Sequence, residues 1–319
     1  EICEFYYTYV PDNNFEQALI DLDYDDVLND FVLTANISGV TSLDVINKSI
    51  SDLTGIAGFT ALTNLECSIN QLSSLDVSNN TALVELHCRE NQLTTLDLSN
   101  NVLLTYLECW GNDLTSLDVS NNTALTTLLC SSNQLTSLDV SANTALTTLN
   151  CSSNQLTSLD VSSNTALTGL YCGNNQLTSL DLSANDAENF ILDCRENQLS
   201  NIIFPPNLYI VEAHGNPLGS LDMSSFTSLY NLGCNSCELT YLNIKNGNQL
   251  TLLQVTSNDD LTCIETLDPE WATENYPEYV TAGITFAEIC YASNPSYTNV
   301  PDDNFEQALI DLGYDDVLD

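Results

Sequence analysis

The sequence predicts a mainly β solenoid with a little helix. It has about ten regular turns of 21 residues, a helical cap at the N-terminal end and an irregular, disulfide-bearing cap at the C-terminal end. Three observations carry the prediction. Cysteine returns at a constant spacing of 21, at Cys67, Cys88, Cys109, Cys130, Cys151 and Cys172, with Cys194 one residue late. Around these cysteines one phrase recurs, L-T-x-L-x-C-x-x-N-Q-L-T-S-L-D-V-S-x-N-T-A. Inside each turn apolar and polar residues alternate, the period of a strand with one face buried. A fixed period of roughly 20–50 residues marks turns that bury their apolar side only against their neighbours.

Residues 1–6 read as the end of a preceding module, because Glu1-Ile2-Cys3 restates Glu288-Ile289-Cys290. Residues 7–40 read as an N-terminal cap. Val10-Pro11-Asp12-Asn13-Asn14 before Phe15-Glu16-Gln17-Ala18-Leu19-Ile20 has the form of a capped short helix. A solenoid needs such a cover, since its last turn otherwise exposes apolar side chains and unpaired strand edges. The opening turns are irregular, with Ile37, Val40, Leu43, Val45, Ile50, Leu53, Ile56 and Phe59 as expected core.

The solenoid is expected over 41–258. In the turn from Leu62 to Thr81, Leu62, Leu65 and Cys67 face inward, and Leu72, Leu75 and Val77 repeat the pattern. Each turn therefore reads as two short strands separated by corners at Asn70-Gln71 and Asn79-Asn80. Six core side chains contribute roughly 1.5–3 kcal/mol each on burial. Ordering the backbone costs about 1–2 kcal/mol per residue, so a lone turn is unstable and the array is obligatory. Asparagine forms two columns, Asn70 to Asn258 at one corner and Asn80 to Asn185 at the other. An amide both donates and accepts, so stacked asparagines can satisfy the backbone groups that a corner frees.

These residues resemble the leucine-rich repeat family, whose L-x-x-L-x-L-x-x-N-x-L strand motif appears with Cys in the third apolar place. The 21-residue length and nested L-x-x-L-D-V-x-x-N half resemble the IRREKO type. That resemblance spans roughly residues 40–262 and implies ligand binding through the outward positions of the first strand.

Residues 259–290 read as a C-terminal cap, 291–297 as a linker, and 298–319 as the start of a next module's N-terminal cap. The stretch Tyr297 to Leu312 restates Tyr7 to Leu22, displaced by 290 residues. A tandem array of such modules is the simplest parent. The V-P-D-x-N-F-E-Q-A-L-I-D-L cap and the L-T-C-I…C end resemble large secreted leucine-rich repeat proteins of Bacteroidota, which implies type IX export to the cell surface.

The 319 residues carry 44 acidic and four basic side chains, a formal charge of −40. That field repels nucleic acid and anionic membrane. No apolar run reaches the roughly 18 residues a membrane-spanning helix needs, and no signal peptide is recognised.

Five constellations are candidates for chemistry. The ladder cysteines read as buried small apolar residues, because cross-linking successive rungs would pull them off core geometry. Cys263 and Cys290 are expected to form a disulfide, with Cys3 the orphaned half of an earlier pair. Cys234 and Cys237 have the C-x-x-C form, read first as a ladder residue plus a substituted corner and second as a local disulfide. Asp76, Asp97, Asp118, Asp139, Asp160, Asp181 and Asp222 form an outward acidic column, read as a solvated face. Asp21, Asp23 and Asp25 have the spacing of a calcium loop, but Asp26 stands where such a loop needs glycine and Gly313 replaces Asp23 in the second copy. No cofactor is expected, with calcium at Asp21, Asp25, Asp26, Asp311, Asp315 and Asp316 as the alternative.

The outward positions of the first strand say most. Turns that are otherwise copies differ there, and both histidines and both arginines of the chain lie in this column. The candidate binding face is Glu85, His87, Arg89, Tyr106, Glu108, Trp110, Tyr171, Arg195 and His214, with Tyr106 and Trp110 as anchors. The bland alternative pairs Arg89 with Glu66 or Glu108 and leaves Trp110 merely covering a strand. No nucleophile accompanies His87 or His214, so the chain reads as non-enzymatic. The expectation is an extracellular adhesin module that binds a protein or glycan on another cell or surface. Its partners include neighbouring modules and exclude nucleic acid and direct membrane insertion. The alternative is a spacer or building unit of an extracellular filament, packed against other copies.

Overall fold

A computed structural model describes residues 6–276, 280, 281 and 283–290. The chain falls into two compact units, 1–211 and 212–319.

Unit one opens with β1 (Tyr7–Tyr9), α1 (Asn13–Asp21), β2 (Phe31–Leu33) and α2 (Thr34–Ile37). β1 and β2 pair antiparallel, with Tyr7 opposite Leu33 and Tyr9 opposite Phe31. Asp12 caps α1: its Oδ1 accepts from the N–H groups of Asn14 and Phe15 at 2.9 and 3.0 Å. Its Oδ2 accepts from the Ser51 and Asp52 N–H groups and the Ser51 hydroxyl, fastening the helix to the opening turns. Phe15 and Phe59 meet with ring centroids 6.4 Å apart. Glu16 is buried, its Oε1 accepting from the Asn29 and Phe31 N–H groups. Of the expected opening core, Val40 is only half-buried and the rest are buried.

A parallel sheet follows, built from β3 (Ser42–Asp44), β4 (Asn64–Glu66), β5 (Glu85–His87), β6 (Tyr106–Glu108), β7 (Thr127–Leu129), β8 (Thr148–Asn150) and β9 (Gly169–Tyr171). β10 (Ser179–Asp181) intervenes before β11 (Phe190–Asp193), which pairs with β9. The central leucine of each strand faces the next, Leu43 to Leu65, Leu86, Leu107, Leu128, Leu149, Leu170 and Leu192. This one-to-one register keeps every inward side chain in the core and every outward one in a straight column.

The expected second strand does not form in the regular turns. Among the described residues of unit one, strand pairing in that half of the turn is confined to β10 with β12 (Asn201–Ile203). The Leu-Asp-Val segments still bury their apolar side chains, but Leu75, Leu96, Leu117, Leu138 and Leu159 keep 7–9% exposure. Shallow troughs lie between successive segments, as between Ser137–Asp139 and Ser158 and Asp160. The turns are therefore splayed on this side beyond ladder spacing, and each segment is held by bonds at its corners.

Those corners are where the asparagines act. Asn91 donates to the Cys67 and Cys88 carbonyls, and its Oδ1 accepts from Leu72 N–H at 3.0 Å. Asn112, Asn133, Asn154 and Asn175 repeat the arrangement. In the second column Asn101 donates to the Val77 and Asn80 carbonyls, while its Oδ1 is buried without a partner. Just before each first-column asparagine one residue is left-handed: Ile69, Glu90, Gly111, Ser132, Ser153, Asn174 and Glu196, with φ of 50–69°.

Following β13 (Leu208–Glu212), unit two contains β14 (Ser220–Asp222), β15 (Asn231–Gly233), β16 (Tyr241–Asn243), β17 (Leu252–Gln254), β18 (Cys263–Glu265), α3 (Pro269–Asn275) and β19 (Thr285–Ala287). Here both halves of the turn pair: β15 with β17, and β14, β16, β18 and β19 in series, all parallel. Asp268 caps α3 through the Trp271 N–H. A disulfide joins Cys263 to Cys290. A second joins Cys234 to Cys237, correcting the first reading of that pair: left-handed Ser236 (φ 54°) brings their Cα atoms to 5.5 Å.

Candidate interaction face

Strand alternation turns Glu85, His87, Tyr106 and Glu108 outward. The register sets Glu85 beside Tyr106 and His87 beside Glu108. Glu108, its side chain 15% exposed, is the hub. Its Oε2 lies 2.9 Å from His87 Nδ1. Its Oε1 accepts from Trp110 Nε1 at 2.8 Å and faces Arg89 Nε at 3.5 Å. The Arg89 guanidinium lies 5.2 Å from the Trp110 ring centroid, within cation–π range. His87 and Tyr106 have ring centroids 4.9 Å apart. Glu85 accepts from Asn64 Nδ2 and faces His87 Nε2 at 3.7 Å.

Six of the nine expected face residues are thus one cluster on two adjacent turns. Arg89 pairs with Glu108 and, at 3.7 Å, with Glu90; no pair with Glu66 forms. Burial, followed by the Glu108 and Glu85 carboxylates, raises the Tyr106 phenol above its usual range, so it stays a hydrogen-bond donor. Glu108 thus holds the His87 and Trp110 rings by direct contacts and faces Arg89, which orders aromatic and basic side chains before any ligand arrives.

The remaining three stand apart. Thr127, Leu129, Thr148 and Asn150 make the next two strands neutral. Beyond them Tyr171 lies over Gly169, where a Cβ would come 3.2 Å from the ring, and Arg195 chelates Asp193 with bonds of 2.8 and 2.7 Å. His214 belongs to unit two. Its Nε2 lies 2.7 Å from Glu212 Oε2, and its Nδ1 accepts from Asn235 N–H at 2.8 Å, which places the ring proton on Nε2. Gly233 makes room for this pair, since a Cβ there would fall 2.2 Å from Glu212 Oε2. Asn64, Glu90 and Gly233 were not singled out from sequence; they are supporting groups, visible only once the register is known.

Among the described residues neither imidazole is bonded to a hydroxyl or thiol nucleophile. Asp21 is engaged by Gln17 Nε2 and Lys48 Nζ. Among the described residues no three acidic, histidine or cysteine side chains converge to hold a metal ion, against the calcium alternative at Asp21, Asp25 and Asp26. Asp311, Asp315, Asp316, Cys3 and the restated segment 297–312 lie outside the described residues. In the acidic column the Ser78 hydroxyl and N–H hold the Asp76 carboxyl below its usual range, and the Ser99 N–H and hydroxyl do the same for Asp97. The column is locally satisfied by hydrogen bonds. Cys67, Cys88, Cys109, Cys130, Cys151 and Cys172 are free thiols, and they and Cys194 are buried. Burial raises the thiols from Cys67 to Cys172, that of Cys151 to about 12.

A family model for leucine-rich repeats, in two copies, matches residues 144–185. The solved functional domain of InlJ from Listeria monocytogenes, which includes a cysteine ladder, superposes with a TM-score of 0.69. It is 31% identical, over 94% of this chain and 76% of that one. The chain is a leucine-rich repeat protein. Over 70 residues this leucine-rich repeat chain is also 37% identical to Internalin J of Listeria monocytogenes serotype 4b, a match covering 22% of it and 8% of the relative. The internalin InlF of the same species shares the fold, with a TM-score of 0.56, 19% identity and coverage of 86% and 96%. Among the described residues no helix is long and apolar enough to cross a membrane.

Proposed function

We propose that this leucine-rich repeat chain is a non-enzymatic recognition module of a secreted or surface-displayed protein, and that it binds a protein or glycan on another cell or surface. The carrying observation is the His87–Glu108–Trp110 cluster: successive turns are near copies except on this face, where aromatic and basic side chains are held ready. Rigid aromatic anchors lose little side-chain entropy on association, which favours affinity. The Cys234–Cys237 and Cys263–Cys290 disulfides support an oxidising, extracellular setting. The charge of −40 argues against nucleic acid and anionic membrane as partners. The 290-residue displacement between the two cap sequences supports a parent of tandem modules.

The test is retention of the chain on glycan arrays and whole cells, with calcium and with chelator, beside Trp110→Ala. Specific retention that disappears in a stably folded variant supports the face. Absence of retention under every condition overturns it. The second reading, a spacer or filament unit, is favoured by the acidic surface and the repeated cap, and it predicts that Trp110→Ala changes nothing.

A further inference from the structure

The turn that carries Tyr106 and Trp110 departs from its neighbours at a second place. Where other corners read Thr81-Ala82, Thr123-Ala124, Thr144-Ala145 and Thr165-Ala166, this one reads Val102-Leu103. Both are surface side chains, 50% and 52% exposed. Among the described residues from Val32 to Ile202, no other large apolar side chain is so exposed. They add nothing to the core, which already has Leu104 in its regular place with no exposure. Leu103 and Val102 are three and four residues from Tyr106, a span of at most about 10–14 Å of extended chain. One short ligand segment can therefore touch the corner and the strand face together.

Charge decides what kind of segment. On the adjoining turn the Glu85 and Glu90 side chains are 47% and 46% exposed. The nearby basic groups, His87 and Arg89, are already engaged by Glu108. Glu85, Glu90 and Glu108 outnumber Arg89 and His87, so an acidic ligand meets a net like-signed field, and a basic one meets partners for its charges.

We infer that Val102 and Leu103, with Trp110 and flanked by Glu85 and Glu90, form a docking surface for a cationic protein segment that carries an apolar anchor. The inference rests on the strand-face reading and narrows it to a partner chemistry.

The full chain is titrated by fluorescence anisotropy with three labelled peptides of equal length: alternating Lys and Leu, Lys and Ser, and Glu and Leu. The Lys/Leu peptide is expected to bind best, more weakly as salt rises. A double variant, V102T with L103A, gives this corner the residues its neighbours carry, so the fold is retained. It is expected to weaken Lys/Leu binding about tenfold or more. Glu85→Gln with Glu90→Gln is expected to flatten the salt dependence. Equal binding of Lys/Leu and Lys/Ser, or no effect of the corner variant, overturns the docking surface. Preference for Glu/Leu overturns the cationic assignment. If Trp110→Ala abolishes binding and the corner variant does not, the strand face stands and this extension fails; if neither matters, both fail.

Discussion

Single side chains settle the local geometry of each turn. Ile69 is a β-branched residue at a φ of 56°, where the same place elsewhere holds Gly111 or Asn174. Left-handed backbone costs a β-branched residue more than asparagine. Ile69→Asn is expected to raise unfolding stability by about 1 kcal/mol, read from the midpoint of urea denaturation. The two asparagine columns should differ in weight. Asn112→Ala strips Leu93 N–H of its acceptor and the Cys88 and Cys109 carbonyls of a donor, in a buried corner. It is expected to cost about 2–4 kcal/mol. Asn101→Ala should cost less, because the Oδ1 it removes is already unpaired. Equal losses in the two variants would refute this ordering. The standing of Tyr106, Glu108 and Trp110 as candidate site residues was legible from their departure from the repeat. Their mutual bonds were not, because sequence does not say which outward neighbour a carboxylate will reach.

At the scale of elements, strand register converts a sequence period into columns, and caps join the columns to what precedes them. Asp12 is the junction between α1 and the opening turns. Burial works against its charge, but bonds from the Ser51 hydroxyl and the Ser51, Phe15 and Asp52 N–H groups outweigh that and hold its carboxyl below the ordinary 3.8. A depressed value in the folded state means that the ionised form stabilises the fold. That contribution is present above the unfolded value near 3.8 and is lost as pH falls through the lower folded one. Asp12→Ala is therefore expected to cost about 1–2 kcal/mol at pH 7. The gap from wild type should narrow as denaturation curves are taken from pH 7 down towards pH 3; a gap that stays constant would show that the carboxylate's charge is not what matters. The second strand of the regular turn was misread at this scale. Apolar alternation reports burial, and a buried extended segment pairs only where its neighbours come within ladder spacing.

Over the whole molecule, the cysteines divide by unit. Among the described residues, the free thiols from Cys67 to Cys172 lie in the ladder of unit one and the two disulfides lie in unit two. Burial raises the ladder thiols above the ordinary 9.0. The folded state therefore keeps protons that the unfolded chain releases, so stability is whole below about pH 9 and falls as pH rises beyond it. Each thiol contributes a slope of up to about 1.4 kcal/mol per pH unit. Anaerobic melting curves from pH 8 to 11 should show a progressive fall in Tm, made shallower by Cys130→Val and again by adding Cys151→Val. An unchanged slope in both variants would remove the thiols as its cause.

The sequence by itself determined the solenoid, its period, the inward cysteines and asparagines, and the face on which turns differ. Each of these follows from residue type and spacing, since a repeat of 21 residues in a strand-like period leaves one way to stack. Tertiary structure alone decided that Glu108 gathers His87, Arg89 and Trp110, that Cys234 bonds Cys237, and that the second segments pair in unit two but stay apart in most of unit one. Those outcomes depend on distances between turns, set by how neighbouring turns splay or close. No single turn encodes that spacing, because it is the balance of packing and hydrogen bonding over all of them.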